Sequence, residues 1–148
     1  MLTIHAADEL RLSWDAAPVK EGAVAVEGDR VAGSGLFEEL RGRFPDARVR
    51  RWPGVLGPAL VHEGPLPEAP SPRERVHAVL KSGATAVLAE YAGTADLRSA
   101  AARNDVAVLP RAHPRAIVDA GRADLAVFDT DGACLATVCA GRLVHRRR

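Results

Sequence analysis

The sequence predicts an α+β fold in which strands from both chain ends flank a central segment of alternating strands and helices. Three observations carry this prediction. Gly28-Asp29 is a hairpin-turn signal between two short runs rich in Ala and Val. Residues 59–109 read strand, helix, strand, helix, strand, which is the pattern of a small parallel sheet with right-handed crossovers. Apolar strand patterns then return at Ala123–Phe128 and Leu135–Val138.

The N-terminal region predicts mainly strands. Leu36 to Arg43 has apolar residues at helical spacing before Pro45, so it predicts a short helix. Asp8 to Lys20 is mixed in character and contains Pro18, so it predicts a loop, with a strand as the alternative. The strands expected here are Leu2–Ala7, Ala23–Glu27, Arg30–Ser34, Arg48–Trp52 and Val55–Val61.

The central segment opens with a run of prolines between Gly64 and Pro72, which predicts a stiff connector. Ser71 and Thr94 stand where helix N-caps are expected. They predict helices over Arg73–Lys81 and Ala95–Arg103, and the strands that follow them are Ala84–Ala89 and Val106–Leu109. The run Ala84–Ala89 has no polar alternation, as expected of a strand buried in a parallel sheet.

The strands at each end of the chain expose an apolar face too small to stand alone, so we expect the two ends to pack together. The predicted organisation is therefore a β-sandwich formed by residues 1–58 and 116–148, with a βαβαβ insert at residues 59–115.

Composition narrows the functional classes. The chain has 148 residues and a formal net charge of +1, which predicts no binding to nucleic acid or to an anionic membrane surface. No apolar run approaches the ~20 residues of a membrane span, and the first residues lack a secretory pattern. Cys134 and Cys139 lie five positions apart in a predicted strand, so we expect them on opposite faces and unpaired. Two lone cysteines favour a cytoplasmic location.

Three motifs occur in an order that resembles a known superfamily. Gly22–Gly35, Ala120–Asp129 and Thr137–Val144 are similar to the hairpin, the "ADlvvfd"-like strand and the closing hairpin of the amidohydrolase superfamily. The imidazolonepropionase and aminodeoxyfutalosine deaminase group is the most similar. The resemblance implies a composite β-sandwich domain built from both termini. It also implies a truncated catalytic barrel, since such a barrel takes ~250 residues.

The segment Pro53–Leu66 resembles the approach to the metal site of that superfamily, where a His-x-His pair binds a catalytic metal. On this pattern the two metal ligands fall on Gly64 and Leu66, neither of which can coordinate a metal. No two of the five histidines are separated by one, three or four residues, so local ligand spacings are also absent. The expectation is a protein without a metal or other cofactor.

Polar residues follow each strand of the predicted insert. Parallel strands end at one edge of a sheet, so we expect these residues to surround one small pocket. The candidates for catalysis are His62, Glu63 and His113, and those for ligand binding are Glu90, Tyr91 and Arg111. Strand ends are polar in most α/β sheets, so the alternative is that these are ordinary loop residues.

The functional expectation is a non-catalytic accessory protein that binds a small ligand or a partner. The alternatives are a divergent hydrolase acting on carbon–nitrogen bonds through the His/Glu cluster, and a structural subunit that completes another protein. Because a short parallel sheet leaves edges and a face to cover, we also expect a homodimer or a protein partner over the truncated barrel face.

Overall fold

The computed structural model describes residues 1–147; Arg148, the last residue of the predicted sandwich segment, lies outside the described residues. The strands are β1 (Leu2–Leu10), β2 (Val19–Lys20), β3 (Gly22–Glu27), β4 (Arg30–Leu36), β5 (Arg48–Pro58), β6 (Leu60–His62), β7 (Ala84–Leu88), β8 (Ala107–Leu109), β9 (Leu125–Phe128), β10 (Cys134–Cys139) and β11 (Arg142–Arg146). The helices are α1 (Phe37–Arg43), α2 (Pro72–Lys81) and α3 (Ala95–Arg103). No helix in this described part combines the length and apolar composition of a transmembrane span.

Both chain ends contribute to one sheet, as the sequence predicts. The strand order is β11-β10-β9-β5-β1-β3-β4, and β2 pairs with β1 at the side. The parallel β1–β5 pair and the antiparallel β5–β9 pair link the N-terminal half to the C-terminal half, with Leu56 opposite Val127. The α+β fold class and the sandwich built from both termini are confirmed.

This sheet curls and bonds to itself. Backbone bonds of 2.9 Å join Val31 N–H to Gly121 carbonyl and Ala120 N–H to Val31 carbonyl, so β4 is tied to the segment that leads into β9. The inside of the curl is filled by apolar side chains from six strands and from Ile117. On the outside, α1 covers β1 and β3 with Phe37 and Leu40.

The insert forms a separate parallel sheet of order β6-β7-β8. Ser71 and Thr94 hydroxyls each accept a bond of 3.2 Å from a backbone N–H three residues later, so both predicted helix caps are present. Helices α2 and α3 bury one apolar face against β7, and the same core reaches Cys139 of β10. The buried Thr137 hydroxyl of β10 donates 2.7 Å to the Leu80 carbonyl of α2, which fixes the insert to the sandwich.

Two strand boundaries differ from the sequence prediction because of residues that are distant in the sequence. β1 runs on to Leu10 because a register shift lets Asp8 leave the ladder, where its carboxylate accepts the Gly54 N–H at 3.0 Å. β5 is continuous through Pro53-Gly54, since β9 joins it only from Val55 onward. Gly54 has φ 87°, and a Cβ there would collide with the Phe128 carbonyl.

The predicted strand Val55–Val61 is in fact divided. Residues up to Pro58 belong to the sandwich sheet, and Leu60–His62 belong to the parallel sheet. Ala59 is the junction, and its N–H donates 3.0 Å to the Asp124 carbonyl. The chain therefore passes directly from one sheet to the other without a loop.

The expectation that the two cysteines lie on opposite faces is wrong. β10 has a register shift between Cys134 and Ala136, so the alternation of side chains is interrupted there. The Cys134 Sγ lies 3.4 Å from the Thr137 Oγ1, on the side that faces the insert, and Cys139 is buried in the insert core. Both are free thiols.

Candidate functional site

A cleft of about 290 Å³ lies beside β6, close to the junction of the two sheets. Its floor is formed by the backbone and side chains of Ala59, Leu60 and Val61. Glu63 follows on the same strand end, and the other lining residues come from two distant parts of the chain: Trp14, and His113 with Pro114 and Arg115. The cleft is therefore assembled only when the sandwich and the insert are both folded.

Trp14 is the aromatic wall of the cleft. Its indole N–H donates 2.8 Å to the Pro58 carbonyl, and its ring meets Phe128 edge-to-face at a centroid distance of 5.5 Å. The ring also lies against Gly57, where any side chain would collide with it. Since one edge is anchored and one face is packed, the orientation of this ring is fixed before any ligand arrives.

Arg115 is the cationic wall of the cleft, and it also joins the two sheets. Its guanidinium donates 2.8 Å to the Thr85 hydroxyl of β7 and pairs with the buried Asp124 carboxylate at 3.3 Å. A weaker contact of 3.4 Å reaches the Ala59 carbonyl. The Thr85 bond ties this wall of the cleft to β7, all five residues of which are buried.

Asp124 is the centre of the polar network at this junction. Besides Arg115, its carboxylate accepts 3.0 Å bonds from the Arg122 guanidinium and from the Ala140 N–H. Burial alone would lower the pKa of Arg122, but the Asp124 charge and hydrogen bond outweigh it and raise that pKa. Burial is also the main reason that the pKa of the Cys139 thiol rises to about 11, so this cysteine stays protonated.

Two of the predicted catalytic residues meet in the cleft. Glu63 and His113 both line it, although they are fifty positions apart in the sequence. His62 is half-buried at the end of β6, and its Nε2 lies 2.9 Å from the Pro65 carbonyl rather than in the cleft.

The three predicted ligand-binding residues lie elsewhere. Glu90 and Tyr91 belong to a short 3-10 turn after β7, where Tyr91 packs against the insert core. Arg111 is exposed in the connection after β8. None of the three lines the cleft.

The residues near β6 do not fit the metal that the resemblance would imply. Gly64 has no donor atom, and the Leu66 side chain is buried in the insert core. Within residues 1–147, no three His, Cys, Asp or Glu side chains lie close enough together to hold a metal ion. We therefore derive no chemistry through a metal.

Trp14 and Arg115 were missed as lining residues by the sequence reasoning. The signal for Trp14 is Gly57, a small residue in an otherwise bulky strand, which leaves room for a ring. The signal for Arg115 is a long cationic side chain between Pro114 and a short apolar run, in a chain that also carries Asp124 of the Ala-Asp pair. Neither signal can be interpreted without knowing that the two sheets meet at Ala59.

The hairpin and helix that begin the sandwich match a known family. A family model described as the imidazolonepropionase-like composite domain of bacteria matches residues 22–47, which form β3, β4 and α1. Over these residues the chain is similar to an imidazolonepropionase-like composite domain. The predicted resemblance is thus confirmed for the sandwich, and no protein of curated function matches the sequence.

Solved structures share the fold over nearly three quarters of this chain. Guanine deaminase of E. coli is 15% identical with a TM-score of 0.56, covering 73% of this chain and 35% of its own. A zinc-bound adenosine deaminase from Xanthomonas campestris is 17% identical with a TM-score of 0.55, and the match covers 72% of this chain and 33% of the deaminase. Ochratoxinase of A. niger is 18% identical with a TM-score of 0.52, and the match covers 72% of this chain and 30% of ochratoxinase. The chain therefore spans about a third of the length of these enzymes, and at this identity the likeness shows the fold alone.

Proposed function

We propose that this chain is a non-catalytic accessory protein of the imidazolonepropionase-like type, and that its cleft binds a small ligand. The observation that carries the proposal is the cleft itself, which is lined by the fixed Trp14 ring and by Glu63 and His113. A volume of about 290 Å³ is at the lower end of the range for ligand pockets. A small molecule with a flat ring for Trp14 and a polar group for Glu63 or His113 matches this lining.

The non-catalytic part of the proposal rests on the residues at the end of β6. Hydrolysis in this superfamily, as the resemblance implies, depends on a metal-bound water. Here the positions of the first ligand pair carry Gly64 and Leu66. Loss of those ligands leaves a scaffold whose two sheets are kept together by Arg115 and Asp124, and a pseudoenzyme role follows from that combination.

The ligand proposal can be tested through the Trp14 indole N–H signal in nuclear magnetic resonance spectra. We expect small heteroaromatic acids and amides from a fragment set to shift this signal. The Trp52 indole signal, which lies inside the sandwich, serves as the internal control and should stay in place. Glu63→Gln and His113→Gln should each weaken the response, whereas Glu90→Gln should not. Equal movement of both indoles, or no movement with any fragment, would contradict a ligand site here.

A second candidate function, a divergent hydrolase acting on carbon–nitrogen bonds, is favoured by one observation. Glu63 and His113 share the cleft and could act as an acid–base pair. Our proposal predicts no stoichiometric zinc, iron or manganese in the purified protein. Elemental analysis that finds about one tightly held metal per chain, lost in His62→Ala or His113→Ala, would favour the hydrolase instead.

We also propose a homodimer or a protein partner in the cytoplasm. β6 and β8 are the edge strands of the parallel sheet, and Leu60 on β6 is 37% exposed. An interface that covers them should remove more than ~1,000 Å² from water. The free thiols of Cys134 and Cys139 fit a reducing compartment. Light scattering at micromolar concentration tests the dimer, and a strictly monomeric species would show that Arg115 and the helices already cover the insert.

A further inference from the structure

The first half of β5 has an open edge. Residues 48–52 pair with β1 on one side, from Thr3–Arg48 to Ala7–Trp52. β9 joins the other side only from Val55 onward. Among residues 1–147, no strand lies along the outer side of 48–52. Five residues of strand, about 17 Å long, therefore carry backbone groups without a strand partner.

This edge is strongly cationic. Arg48, Arg50 and Arg51 are within it, and none of the three forms an ion pair with any described residue. Strand alternation places Arg48 and Arg50 on one face of the sheet and Arg51 on the other. Guanidinium groups therefore stand on both sides of the open backbone.

Further arginines come close from other elements. Arg146 of β11 lies over the Trp52 ring at 5.6 Å, and Arg51 lies over the Phe37 ring at 4.3 Å with Arg41 on the same ring at 5.9 Å. Burial first, and then the charges of Arg48 and Arg146, lower the pKa of Arg50. Like charges thus crowd this end of a molecule whose formal net charge is only +1.

A cavity lies directly beside the edge on the α1 side. It has a volume of about 420 Å³ and is lined by Arg41, Phe44, Pro45, Ala47, Val49 and Arg51. Its wall combines apolar side chains with two guanidinium groups. A side chain that projects from a strand added next to Val49 would enter this space.

We propose that the 48–52 edge binds an extended acidic peptide segment of a partner protein, which adds to the sheet as a further strand. Main-chain hydrogen bonds to the open edge supply the affinity in this mode of recognition, and pockets for alternate side chains supply the specificity. Charge selects the segment: acidic residues on one face meet Arg48 and Arg50, and an acidic or apolar residue on the other meets Arg51 and the cavity.

Charge also argues against the other occupants. A second copy of this chain would bring a second set of arginines against the first, which opposes pairing of the two edges. A nucleic acid would satisfy the guanidinium groups but cannot extend the ladder of backbone bonds. A third reading is that the arginines only guard the edge against aggregation, as charges on edge strands often do. That reading predicts no specific peptide binding.

The experiment uses a short fluorescein-labelled peptide of alternating Glu and Val, with the Lys/Val version as the charge control. Fluorescence anisotropy at about 50 mM salt should show saturable binding of the acidic peptide alone, weakening as salt rises. The combined Arg48→Ser, Arg50→Ser and Arg51→Ser variant should bind at least about tenfold more weakly. The matched control, with Arg73→Ser, Lys81→Ser and Arg103→Ser on the helices of the insert, loses the same charge and should bind like the unaltered chain.

Amide hydrogen exchange on the unaltered protein supplies a second readout that needs no variant. Peptide addition should slow exchange within residues 48–52 and leave β6 and β8 unchanged. The proposal is overturned if the acidic peptide does not bind, if both triple variants lose the same affinity, or if exchange at 48–52 is unaffected. Binding of a thymidine oligonucleotide as tight as that of the peptide, without protection of these amides, would also overturn it.

Discussion

The composite sandwich and the parallel insert solve the same problem in different ways. Both must bury apolar strands without leaving a face in water. The sandwich buries its inner face without the insert, because its sheet curls and Val31 bonds to Ala120 and Gly121. The insert has only three strands and needs other elements to bury them. Helices α2 and α3 pack against β7 together with Cys139 of β10, and Arg115 donates one hydrogen bond to Thr85 of β7.

This difference implies a hierarchy of stability. The sandwich core takes side chains from six strands and contains no insert residue. The insert core, in contrast, includes Cys139 of β10 and is packed by Val144 of β11. The insert therefore depends on the sandwich for part of its own core, whereas the sandwich core does not depend on the insert. Loss of the insert should be a local event, and loss of the sandwich a global one.

The strongest test compares two leucines, one in each core. Leu56→Ala in the sandwich, where the side chain has no exposure, should lower the free energy of unfolding of the whole chain by about 2–5 kcal/mol. Leu80→Ala removes the same atoms from the insert, and it should unfold the helices first. Urea unfolding followed by helical circular dichroism and by tryptophan fluorescence separates the two cases, since both tryptophans lie outside the insert strands and helices. Coincident transitions in Leu80→Ala would contradict the hierarchy.

We expect the stability of the protein to depend on pH through a histidine in the sandwich. Burial, and then the nearby Arg50 charge, lower the pKa of His5 from 6.5 to about 4. Its Nδ1 accepts the Trp52 indole N–H at 3.3 Å, so the neutral ring is the one that fits. Between pH 6.5 and 4 the unfolded chain takes up a proton that the folded chain does not, so stability falls as pH falls through this window. The free energy of unfolding should fall by about 3 kcal/mol across this window, at about 1.4 kcal/mol per pH unit.

His5→Asn keeps a hydrogen-bond acceptor close to the Nδ1 position and removes the titration. Urea unfolding at pH 7, 6, 5 and 4, with pH 7 as the reference, should give a flatter profile for this variant than for the unaltered chain. His145, whose pKa is also lowered mainly by burial, is present in both proteins and cancels in the difference. Parallel profiles would show that His5 does not titrate differently on folding.

The smallest expected effect is at the contact between the two regions. Thr137→Val keeps the shape of the side chain and removes the hydroxyl that donates to the Leu80 carbonyl. We expect the stability of the insert to fall by about 1 kcal/mol. Amide exchange should become faster in α2 and stay unchanged in β1 and β3. The exposed Thr130→Val is the matched control and should change neither. Uniform acceleration across both regions would mean that they unfold as one unit.

Local signals allowed much of the fold to be predicted. The caps at Ser71 and Thr94 and the hairpin at Gly28 depend on neighbouring residues only, so the helices and that hairpin were placed correctly. Errors arose where a distant partner decides the outcome. β1 extends past Ala7 because the Asp8 carboxylate accepts a hydrogen bond from Gly54. β5 continues through Pro53 because β9 does not pair with it at that position. A register shift that no residue type announces changed the face of Cys134.

The site was predictable in part for the same reason. Glu63 and His113 follow strands of one sheet, so topology alone brings them to one side. Glu90, Tyr91 and Arg111 follow the same rule, but the turn at Ala89–Tyr91 redirects the chain toward the helices. Trp14 and Arg115 come from the sandwich and from the return connection, and their position depends on how two sheets meet. Contacts between units that are far apart in sequence leave no periodic pattern to detect.

The pairing of β5 with β9 has a consequence for how the protein is made. Every strand of the insert has been synthesised by Leu109, but the partner of Leu56 is Val127. The sandwich therefore stays open along β5 while the whole insert is synthesised, and the insert has nothing to dock on until β10 follows. The region that we expect to be the more stable is thus completed only after the insert has been synthesised, and the nascent chain carries its exposed apolar strands, from Ile4 to Leu56, until β9 and β10 follow.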